Sequence, residues 1–572
     1  MPSSPDCEVL IAGAGPTGLV LALWLARLGV RVRVVDKNPF PAAHSRALAV
    51  QARTLEFYSQ LGFAQELVDQ GHRVPAINMW VSGRQVTHAP FADFGRGLSP
   101  FDFALIYPQD EHEPLLIRHL GELGVAVERP VELLSFAESE GGVVARLRLA
   151  DGSEQTRHAQ FLAGCDGARS VVRQSLEIGF PGGEYTHLFY VADVQGTGPV
   201  ANGELHVALD DTDFLAIFPL DAHGRMRLVG TVRDNPGGPS PATRPKGAEQ
   251  PAAEKGYLTF DDVKDLLPGN ITSPEELDQM LLAINAQGRA GESSQPQFTW
   301  NDVSRRVLEW IHVDVRQVNW FSTYRVHHRV AEHFRDGRAF LLGDAAHIHS
   351  PVGGQGMNTG IGDAVNLGWK LANVLRGRAP ASILDTYEPE RIAFAQRLVA
   401  TTDQAFTAVT SDSDLALLIR LQIVPRILPR LLSANGARRL LFRTVSQIAI
   451  NYRASELSEG RTGKLHAGDR LPWLQFPDNP KSPAPDNFAP LASLDWQVQQ
   501  YSNWLCPDIR RLCTQRNIAM HVFPWQPEFA ATGLVESACY LIRPDGYIAF
   551  ADPAAKARTL AAYLDAQGLR FA

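Results

Sequence analysis

Cysteine is scarce in this chain, and it is not spaced for a metal or redox centre. The 572 residues include five cysteines, an odd number, and no two of them form a CxxC pair. Such usage is typical of a reducing compartment and argues against both a disulfide framework and a zinc ribbon. We therefore expect a cytoplasmic protein without a structural metal.

Long apolar runs and an excess of basic charge are also missing. The apolar stretch LALLIRLQIVPRILPRLL is broken by arginines and prolines, so it is a poor match to the roughly 20 apolar residues of a membrane span. The N-terminal stretch lacks a basic region and is crossed by glycines, which argues against a signal peptide. The formal net charge of -8 argues against nucleic acid or anionic membrane as a partner.

The pattern of apolar residues divides the chain into α/β segments and a sheet-rich segment, and its length predicts two or three domains. CEVLIAGAGPTGLVLALWLARLGVRVRVVD (7–36) predicts a strand, a glycine turn, a helix and a second strand. HLFYVADV, TDFLAIFPL and MRLVGTVRD predict a sheet-rich stretch. Residues 381–455 look helical, and the Pro, Gly and Ala-rich residues 234–256 predict a mobile loop.

A GxGxxG motif lies between the first predicted strand and helix. Its glycines permit a tight turn, a close approach of a pyrophosphate and tight helix packing, with the helix N-terminus facing the phosphates. An acid at the end of the next strand can bind a ribose hydroxyl. The alternative is a glycine turn that merely packs. The predicted cofactor contacts in this half of the site are Gly13, Gly15, Pro16, Thr17, Asp36 and Lys37.

A second glycine-rich stretch, LLGDAAHIHSPVGGQGMNTG (341–360), follows an apolar run. Asp344 stands at the end of a predicted strand, where open α/β sheets bind ligands. Helical spacing resumes near Gly356, and the free amides of a helix start would stabilise the negative charge of a reduced flavin. His347 and His349 alternate beside Asp344, but their spacing matches no strong metal pattern, so we expect no metal here.

Three separated stretches together resemble the class A flavoprotein aromatic hydroxylases, the family of p-hydroxybenzoate hydroxylase. They are GAGPTG (13–18), CDGARSVVR (165–173) and LLGDAAHIHSPVGGQGMNTGIGDAVNLGWKL (341–371), and the resemblance covers roughly residues 7–400. HAGDRLPW (466–473) and LIRPDGYIAF (541–550) resemble the thioredoxin-like tail of the phenol, 3-(3-hydroxyphenyl)propionate and polyketide hydroxylase branch. The tail departs from redox thioredoxins because it has no CxxC.

The resemblance implies an α/β fold with a discontinuous Rossmann-type FAD-binding domain, a sheet-rich substrate-binding domain and a C-terminal thioredoxin-like domain. The FAD-binding domain would comprise residues 1–75, 105–180 and 325–400, and the substrate-binding domain residues 76–104 and 181–324. A helical connector would cover 401–460 and the thioredoxin-like domain 461–572.

The resemblance also implies roles for individual residues. Asp36 would bind the adenosine ribose, and Arg46 would contact the pyrophosphate or shield the flavin. Gln109 would contact the ribityl chain or the flavin, and Asp344 a ribityl hydroxyl. Asp166 either takes part in FAD and nicotinamide binding or caps the helix that follows it. The second glycine stretch would address the flavin through Gly354, Gln355, Gly356, Met357 and Asn358.

The reaction implied is hydroxylation of a phenolic or polycyclic aromatic substrate, with NADPH or NADH as a transient electron donor. Reduced FAD would take O2 and deliver OH from a C4a-hydroperoxyflavin. Baeyer-Villiger or epoxidation chemistry, a non-oxygenating FAD-dependent reductase and a flavin-free binding protein remain alternatives. Whether the chain forms a homodimer stays open.

The substrate pocket is the least specified part of the prediction. The resemblance puts Pro351 between flavin and substrate, with Tyr324 and His327 as further candidates for this pocket. The base that would deprotonate a phenol is not assigned, and Tyr107 is a third candidate beside these two. Aromatic residues that could line the pocket, although each could equally be core, are Trp80, Phe101, Phe103, Phe214, Phe218, Trp320 and Phe321.

Overall fold

A computed structural model describes most of the chain. The described residues are 6–42, 47–91, 94–210, 214–232, 298–350, 352–410, 419–476, 482 and 484–571. The predicted loop at 234–256 and two predicted site residues, Arg46 and Pro351, lie outside them. Residues 298–303 belong to a second compact unit and form a 3-10 turn, Trp300–Asp302, which Thr299 and Asp302 cap reciprocally.

The α-helices occur throughout the described chain. They are α1 (Pro16–Arg27), α2 (Ala52–Leu61), α3 (Ala64–Gln70), α4 (Gln109–Glu122), α5 (Val171–Ser175), α6 (Arg306–Trp310), α7 (Gly356–Leu375), α8 (Tyr387–Thr410), α9 (Val424–Ser433), α10 (Asn435–Val445), α11 (Pro507–Gln515) and α12 (Ala557–Ala566). Short 3-10 turns at Gly343–Ala345 and Val352–Gly354 precede α7. No described helix combines the length and apolarity needed to cross a lipid bilayer.

Among the described residues, the strands form four sheets. They are β1 (Cys7–Ala12), β2 (Val32–Val35), β3 (Ala49–Val50), β4 (His72–Val74), β5 (Ala76–Val81), β6 (Arg84–Pro90), β7 (Ala104–Ile106), β8 (Val127–Glu128), β9 (Glu132–Ser139), β10 (Gly142–Arg148), β11 (Glu154–Gly164), β12 (Gly182–Thr197), β13 (Leu205–Leu209), β14 (Phe214–Pro219), β15 (Arg225–Val232), β16 (Asp314–Val330), β17 (Arg335–Asp336), β18 (Ala339–Leu341), β19 (His347–Ile348), β20 (Glu459–Thr462), β21 (Leu465–His466), β22 (Gln497–Tyr501), β23 (Ala519–Phe523), β24 (Cys539–Ile542) and β25 (Ile548–Asp552).

The first sheet carries the predicted strand, glycine turn and helix, which are confirmed as β1, α1 and β2. Its strand order is β17-β18-β11-β1-β2-β8, with β10 and β9 attached to β11. The neighbours β18, β11, β1, β2 and β8 run parallel, so their carboxyl ends meet at one edge. Both faces of such a sheet must be covered, and α1 is accordingly buried along most of its length, from Gly18 to Leu25.

The second sheet is long and mainly antiparallel, in the order β19-β16-β12-β15-β14-β13-β5-β6. The stretches HLFYVADV, FLAIFPL and MRLVGTV lie on β12, β14 and β15, which confirms the predicted sheet-rich texture. A small third sheet, β3-β7-β4, lies beside the site described below. Strand β19 pairs with β16, and this pairing joins the second sheet directly to the chain that leads into α7.

The C-terminal region contains the fourth sheet, in the order β21-β20-β25-β24-β22-β23. Strands β22 and β23 are parallel and joined through α11, whereas β24 runs antiparallel to both β22 and β25. Before this sheet the described parts of 381–455 are largely helical, as predicted, in α8, α9 and α10.

Candidate functional site

Four loops meet at the edge where the parallel strands end. Gly13 follows β1, Asp36 follows β2, Asp166 stands two residues after β11, and Asp344 stands three residues after β18. Because the carboxyl ends of parallel strands lie side by side, these loops share one crevice. The sheet therefore brings together residues from three stretches that are far apart in the sequence.

Gly13 and Gly18, at the two ends of the glycine motif, are packed too tightly to carry a side chain. Gly13 has φ +102°, and a Cβ there would lie 2.2 Å from the carbonyl oxygen of Cys165. A Cβ on Gly18 would lie 2.0 Å from the carbonyl oxygen of Gly13. Gly15 differs, because a Cβ on it would meet nothing within 4 Å. The backbone at Gly15 thus faces open space, while its neighbours hold the turn in place.

Asp36 holds this glycine loop in position. Its carboxylate accepts hydrogen bonds from the backbone amides of Ala14 at 2.7 Å and Asn38 at 2.8 Å. Arg129, which precedes β9, lies 3.7 Å from the same carboxylate and donates to the carbonyl of Ala14 at 3.0 Å. Lys37, the next residue, is exposed. Asp36 and Arg129 therefore form an ion pair that holds the backbone of the glycine loop in place next to Gly15.

Helix α7 begins at Gly356, at the position that its apolar spacing predicts. It has no side-chain cap and no acid in its first turn. A Cβ on Gly360 would lie 2.3 Å from Oγ1 of Thr17, and one on Gly343 would lie 2.7 Å from the same atom. Thr17 of α1 thus fits between the turn after β18 and the first turns of α7, so that the two helix starts lie close together.

Two predicted cofactor residues use their side chains inside the protein. The Asn358 amide accepts from the Gln51 amide at 2.9 Å and the Thr54 hydroxyl at 2.8 Å. It donates to the carbonyls of Ala49 and Gly354, both at 2.8 Å. All four hydrogen-bonding positions of that side chain are therefore used. Asn358 holds β3 and the start of α2 against the glycine loop and offers a ligand only its backbone.

The Gln355 side chain is engaged in the same way. Its Nε2 donates to the Gly353 carbonyl at 3.0 Å and the Val445 carbonyl at 2.8 Å, and its Oε1 accepts from Gln447 at 2.7 Å. These bonds connect the loop before α7 to the end of α10. The prediction that Gln355 serves a cofactor can therefore concern its backbone alone.

A buried charge network lies under the turn after β18. Oδ2 of Asp363 on α7 is 2.7 Å from Nε2 of His347 and accepts from the Gly343 amide at 3.0 Å. Arg391 of α8 donates from Nε to the other oxygen at 2.6 Å and from Nη1 to the Tyr452 hydroxyl at 2.9 Å. Burial opposes the ionised form of Asp363, but Arg391 and His347 hold its pKa below the ordinary value. Through Asp363, His347 thus helps to hold the turn after β18 in place.

Asp166 has one engaged and one unengaged oxygen. Its Oδ2 accepts from the backbone amides of Val171 at 2.7 Å and Val172 at 3.2 Å, so it caps the start of α5. Its Oδ1 is buried and has no hydrogen-bond partner among the described residues. The two roles considered for Asp166 are thus compatible, because the capping contact leaves one oxygen for a ligand.

The remaining cofactor candidates lie around the crevice. Gln109 opens α4, where its backbone amide donates to the Ala47 carbonyl at 3.1 Å and its side chain to Glu113 at 2.7 Å. Asp344 is exposed within its 3-10 turn. Gly354 has φ +62°, and a Cβ on it would lie 2.7 Å from Cβ of Ala49 on β3.

An aromatic surface forms one face of the second sheet. Register places Tyr324 beside Phe189, and Trp320 and Arg227 beside Asp193. We name as the aromatic face the half-buried side chains packed on Val191, Ala216 and Val229, which are those of Phe214, Phe218, Trp320 and Tyr324. Phe218 also packs against the small sheet that contains Ala49. The aromatic face thus adjoins the glycine loop before α7.

The structure separates some of the predicted pocket residues. Tyr324 and His327 are three apart on β16, so strand alternation puts them on opposite faces, and His327 lies 3.6 Å from Glu184. Tyr107 is buried, donates to Gln70 at 2.7 Å and has a pKa raised by burial, which makes it a core residue. Phe321 stacks on Tyr190, on the face opposite to Tyr324.

Sequence reasoning missed several residues that organise this region. Arg173 donates to the carbonyls of Ala345 and Ala168, both at 2.8 Å, and so connects two of the loops. Asp363 and Arg173 lie within the stretches that resemble the family, so the sequence pointed to these positions but not to the residues that they contact. Arg129 had a weaker signal, a basic residue just after a short strand. No sequence signal marked Arg391, because its partner Asp363 lies 28 residues away.

The donor set fits a dinucleotide. Helices α1 and α7 both begin without a side-chain cap and without a first-turn acid, which leaves amides directed at the crevice. The open face of Gly15 admits a pyrophosphate, and Oδ1 of Asp166 lacks a partner among the described residues. Helix α2 also starts without a side-chain cap or a first-turn acid, so what distinguishes α1 and α7 is that they start at the glycine loops of the crevice. These features fit a ligand with phosphates and a polar ring.

Comparisons with known proteins agree with this geometry. Residues 6–402 match a protein family described as FAD binding domain. The chain is 35% identical to 6-methylpretetramide 4-monooxygenase of Streptomyces rimosus, over 82% of this chain and 73% of the relative. It is 31% identical to pentachlorophenol 4-monooxygenase of Sphingobium chlorophenolicum, over 82% and 76%.

A solved structure extends the similarity over nearly the whole chain. OxyS anhydrotetracycline hydroxylase from Streptomyces rimosus is 25% identical and superposes with a TM-score of 0.71, covering 99% of this chain and 100% of that one. The fold and crevice define an FAD-binding protein, and the chain belongs to the class A FAD-dependent aromatic hydroxylases, which are monooxygenases.

Proposed function

We propose that this protein hydroxylates a phenolic or polycyclic aromatic substrate, with NADPH or NADH as electron donor and O2 as the source of oxygen. One observation carries the proposal: two uncapped helix starts and three carboxylates meet in one crevice next to the aromatic face. When bound, FAD supplies the redox chemistry, since it carries two electrons from the nicotinamide and allows one oxygen atom of O2 to enter the ring while the other leaves as water.

The first half of the crevice holds the adenosine and pyrophosphate. The amides of Gly15 and Thr17 lie at the start of α1, where the helix dipole favours negative charge, and Pro16 between them has no N–H and only fixes the first turn. Asp36 accepts two backbone bonds, and each of its oxygens retains capacity for a ribose hydroxyl. Lys37 lies at the exposed rim. The role proposed for Arg46 rests on the family resemblance alone.

The second half holds the flavin. The Asp344 carboxylate accepts hydrogen bonds from the hydroxyls of the ribityl chain, and the Gln109 side chain donates to them or accepts from them. The backbone amides of Gly356, Met357 and Asn358 face the pyrimidine edge of the flavin. A start of α7 without acids stabilises negative charge on that edge. Asp166 directs its unengaged oxygen toward the cofactor. Gln355 and Gly354 hold the loop in shape.

The aromatic face provides the substrate pocket. Flat, half-buried rings stack on a planar substrate and keep water from the reacting carbon, which the chemistry requires. Tyr324 contributes its hydroxyl on this face. Pro351 is placed next to it by the resemblance. His327 is a weaker candidate, because it lies on the other face of the strand.

We also propose a division into domains. The FAD-binding domain comprises 1–75, 105–180 and 325–400, and the substrate-binding domain 76–104 and 181–324. The residues from 401 to 460 connect them to a thioredoxin-like domain at 461–572. Support for the last comes from its β-α-β unit followed by an antiparallel β pair and a helix. Its Cys506 and Cys513 are free and do not form a disulfide with each other.

The proposal is tested with purified protein reconstituted with FAD. We expect phenols, salicylates, phenylpropionates or polycyclic quinones to stimulate NADPH or NADH oxidation, with matching oxygen uptake. With isotopically labelled O2, the product gains one labelled oxygen atom. Reduction of the substrate without oxygen uptake would instead identify a reductase. A ketone that gains its oxygen between two carbons would identify Baeyer-Villiger chemistry, and protein that cannot take up FAD would contradict the proposal altogether.

A further inference from the structure

His349 is a half-buried side chain with a buried Nε2 atom, and the roles assigned so far leave it unused. It lies in the loop between β19 and α7. Its Nδ1 is 2.8 Å from the backbone carbonyl of Ser350, so that nitrogen carries the proton and donates. Its Nε2 then has a lone pair, and this atom is buried without a hydrogen-bond partner among the described residues. A buried acceptor without a donor is costly, which points to a partner supplied by a ligand.

The position of the ring identifies which ligand. A Cβ built on Gly356 would meet Cε1 and Nε2 of His349 at 3.8 Å, and no other described atom within 4 Å. The imidazole therefore lines the same opening as the first residue of α7. The Gln355 and Asn358 side chains near this opening are engaged inside the protein. His349 is thus placed to meet the planar group that the helix start receives.

We propose that Nε2 of His349 accepts a hydrogen bond from a ring-borne N–H or O–H donor of the molecule bound at the start of α7. Two groups have this chemistry: the N3–H of the isoalloxazine and the hydroxyl of a phenolic substrate. The inference rests on the proposed function, because it needs the flavin and the substrate to lie at this opening.

The surroundings keep the imidazole an acceptor and prevent it from acting as a base. Burial lowers the pKa of His349 to about 4, and His347 acts in the same direction, while the bond to Ser350 opposes the shift. The ring is therefore neutral near pH 7. A phenol has an ordinary pKa of about 10, so this imidazole orients the hydroxyl without removing its proton. The positive end of α7 likewise disfavours an imidazolium.

The test compares His349→Phe, which removes the acceptor, with His349→Gln, which retains one. His158→Phe serves as the control, since His158 is an exposed histidine on β11. Apoprotein is titrated with FAD by flavin fluorescence. Holoenzyme is titrated with 1-naphthol and with its O-methyl ether, or with the tightest phenol of the activity screen and the matching ether, by flavin absorbance.

The two sources give different results. If the donor is flavin N3–H, His349→Phe raises the Kd for FAD about tenfold without any substrate present, as expected for the loss of one hydrogen bond. If the donor is the phenol, the Kd for FAD is unchanged, and the Kd for the phenol rises about tenfold while that for the ether does not. In both cases His349→Gln recovers most of the affinity.

Unchanged Kd values for FAD and phenol in His349→Phe would overturn the inference, as would equal losses in His158→Phe. Such a result leaves the proposed function intact, because the wild-type protein would still couple NADPH oxidation to hydroxylation. If His349→Phe does not fold, His349→Ala, which also removes the acceptor, takes its place in both titrations. A Kd for FAD and a phenol-to-ether Kd ratio that are both unchanged in His349→Ala would again contradict the inference.

Discussion

Burial and local partners give each histidine of this protein a different chemical role. His347 is buried against Asp363 and supports the turn after β18. His349 lies two residues further on, and its buried Nε2 has no hydrogen-bond partner among the described residues. His327 meets Glu184 on the outer face of its strand. Residue type alone makes these three equivalent, whereas their environments make one structural, one a candidate ligand contact and one peripheral.

A fourth histidine permits a test of burial through the pH dependence of stability. His112 of α4 is completely buried, its Nε2 is 2.9 Å from the Tyr58 hydroxyl, and burial lowers its pKa to about 3. The unfolded chain therefore binds more protons than the folded one between the folded pKa and the ordinary value near 6.5, so stability falls as the pH falls through that window.

We expect His112→Gln to lose on the order of 2 kcal/mol less unfolding free energy than wild type when the pH drops from about 7 to about 5. Glutamine can still bond to Tyr58 but does not titrate. Urea unfolding at several pH values measures the difference. The exposed His158→Gln should retain the wild-type slope, and a His112→Gln slope equal to wild type would show that His112 is protonated in the folded protein.

At the scale of secondary structure elements, the site depends on two helices that start without caps. Ser, Thr, Asp and Asn side chains are the preferred caps for the first amides of a helix. Helices α1 and α7 instead begin at glycine loops, with Pro16 and Gly356 as their first residues. Their amides and dipoles are held against one another through Thr17. The first backbone amides of these two helices, which no side chain caps, are therefore available to an anionic cofactor.

An acid placed in the first turn of α7 should separate helix stability from cofactor binding. We expect Met357→Glu to raise the Kd for FAD about tenfold, because the carboxylate offsets the helix dipole and repels negative charge on the ligand. The same carboxylate favours the helix itself, and since both Met357→Glu and Met357→Gln lose the contact of the methionine with the core, the apoprotein of Met357→Glu should be the more stable of the two. Flavin fluorescence and urea unfolding of the apoprotein report the two effects.

Met357→Gln is the matched neutral control for that charge and should bind FAD nearly as wild type does. If the two variants lose FAD affinity equally, side-chain shape and not charge governs the start of α7. If the affinity is unchanged in both, the flavin edge lies away from this helix, and the proposed contacts at Gly356 to Asn358 are wrong.

At the scale of the whole molecule, buried charges connect the C-terminal sheet to the helices of the site. Arg543, which follows β24, pairs with both oxygens of Glu390 on α8 at 2.8 and 2.9 Å and with Asp545 at 2.7 Å. Trp369 of α7 donates to Asp545 at 3.0 Å, and Lys370 to Glu390 at 2.9 Å. Burial opposes the charge on Glu390, but Arg543 and Lys370 hold its pKa well below the ordinary value.

Removal of one charged side chain from this network should lower the free energy of unfolding. We expect Arg543→Met to destabilise the protein by roughly 3–5 kcal/mol, because it leaves Glu390 and Asp545 buried with too little positive charge. The unfolding midpoint in urea measures the effect. Because the network reaches α7, we also expect FAD to dissociate at a lower urea concentration than in wild type, as followed by flavin fluorescence.

Arg516→Met provides the comparison within the same region. Arg516 pairs with Asp565 at 2.8 Å, but both side chains are partly exposed, so its loss should cost less than about 1 kcal/mol. In the double variant Arg543→Met with Glu390→Gln, part of the lost stability should return. Equal costs for the two arginine variants would mean that the C-terminal sheet is not held by this network.

Local sequence was sufficient for the elements that build the crevice. A strand, a glycine turn and a helix are specified by residues within about 30 positions of each other, so β1, α1 and β2 could be predicted. The start of α7 followed from apolar spacing after the glycines. Asp344 followed from the rule that ligands meet the carboxyl ends of parallel strands, Asp36 from the acid expected after a GxGxxG motif, and Asp166 from the family resemblance alone. Alternation along β16 could also have separated Tyr324 from His327.

The sequence by itself thus determined the order of the main elements, which depends on neighbouring residues, and the resemblance of three separated stretches determined the family and with it the cofactor class. Tertiary structure alone decided which polar side chains are used inside the protein. Asn358 is bound by residues 304 and 307 positions away, and Arg543 by a glutamate 153 positions away. A side chain's remaining hydrogen-bonding capacity depends on what surrounds it after folding, so the inward bonds of Gln355 and the unpartnered Nε2 of His349 among the described residues appear only in three dimensions.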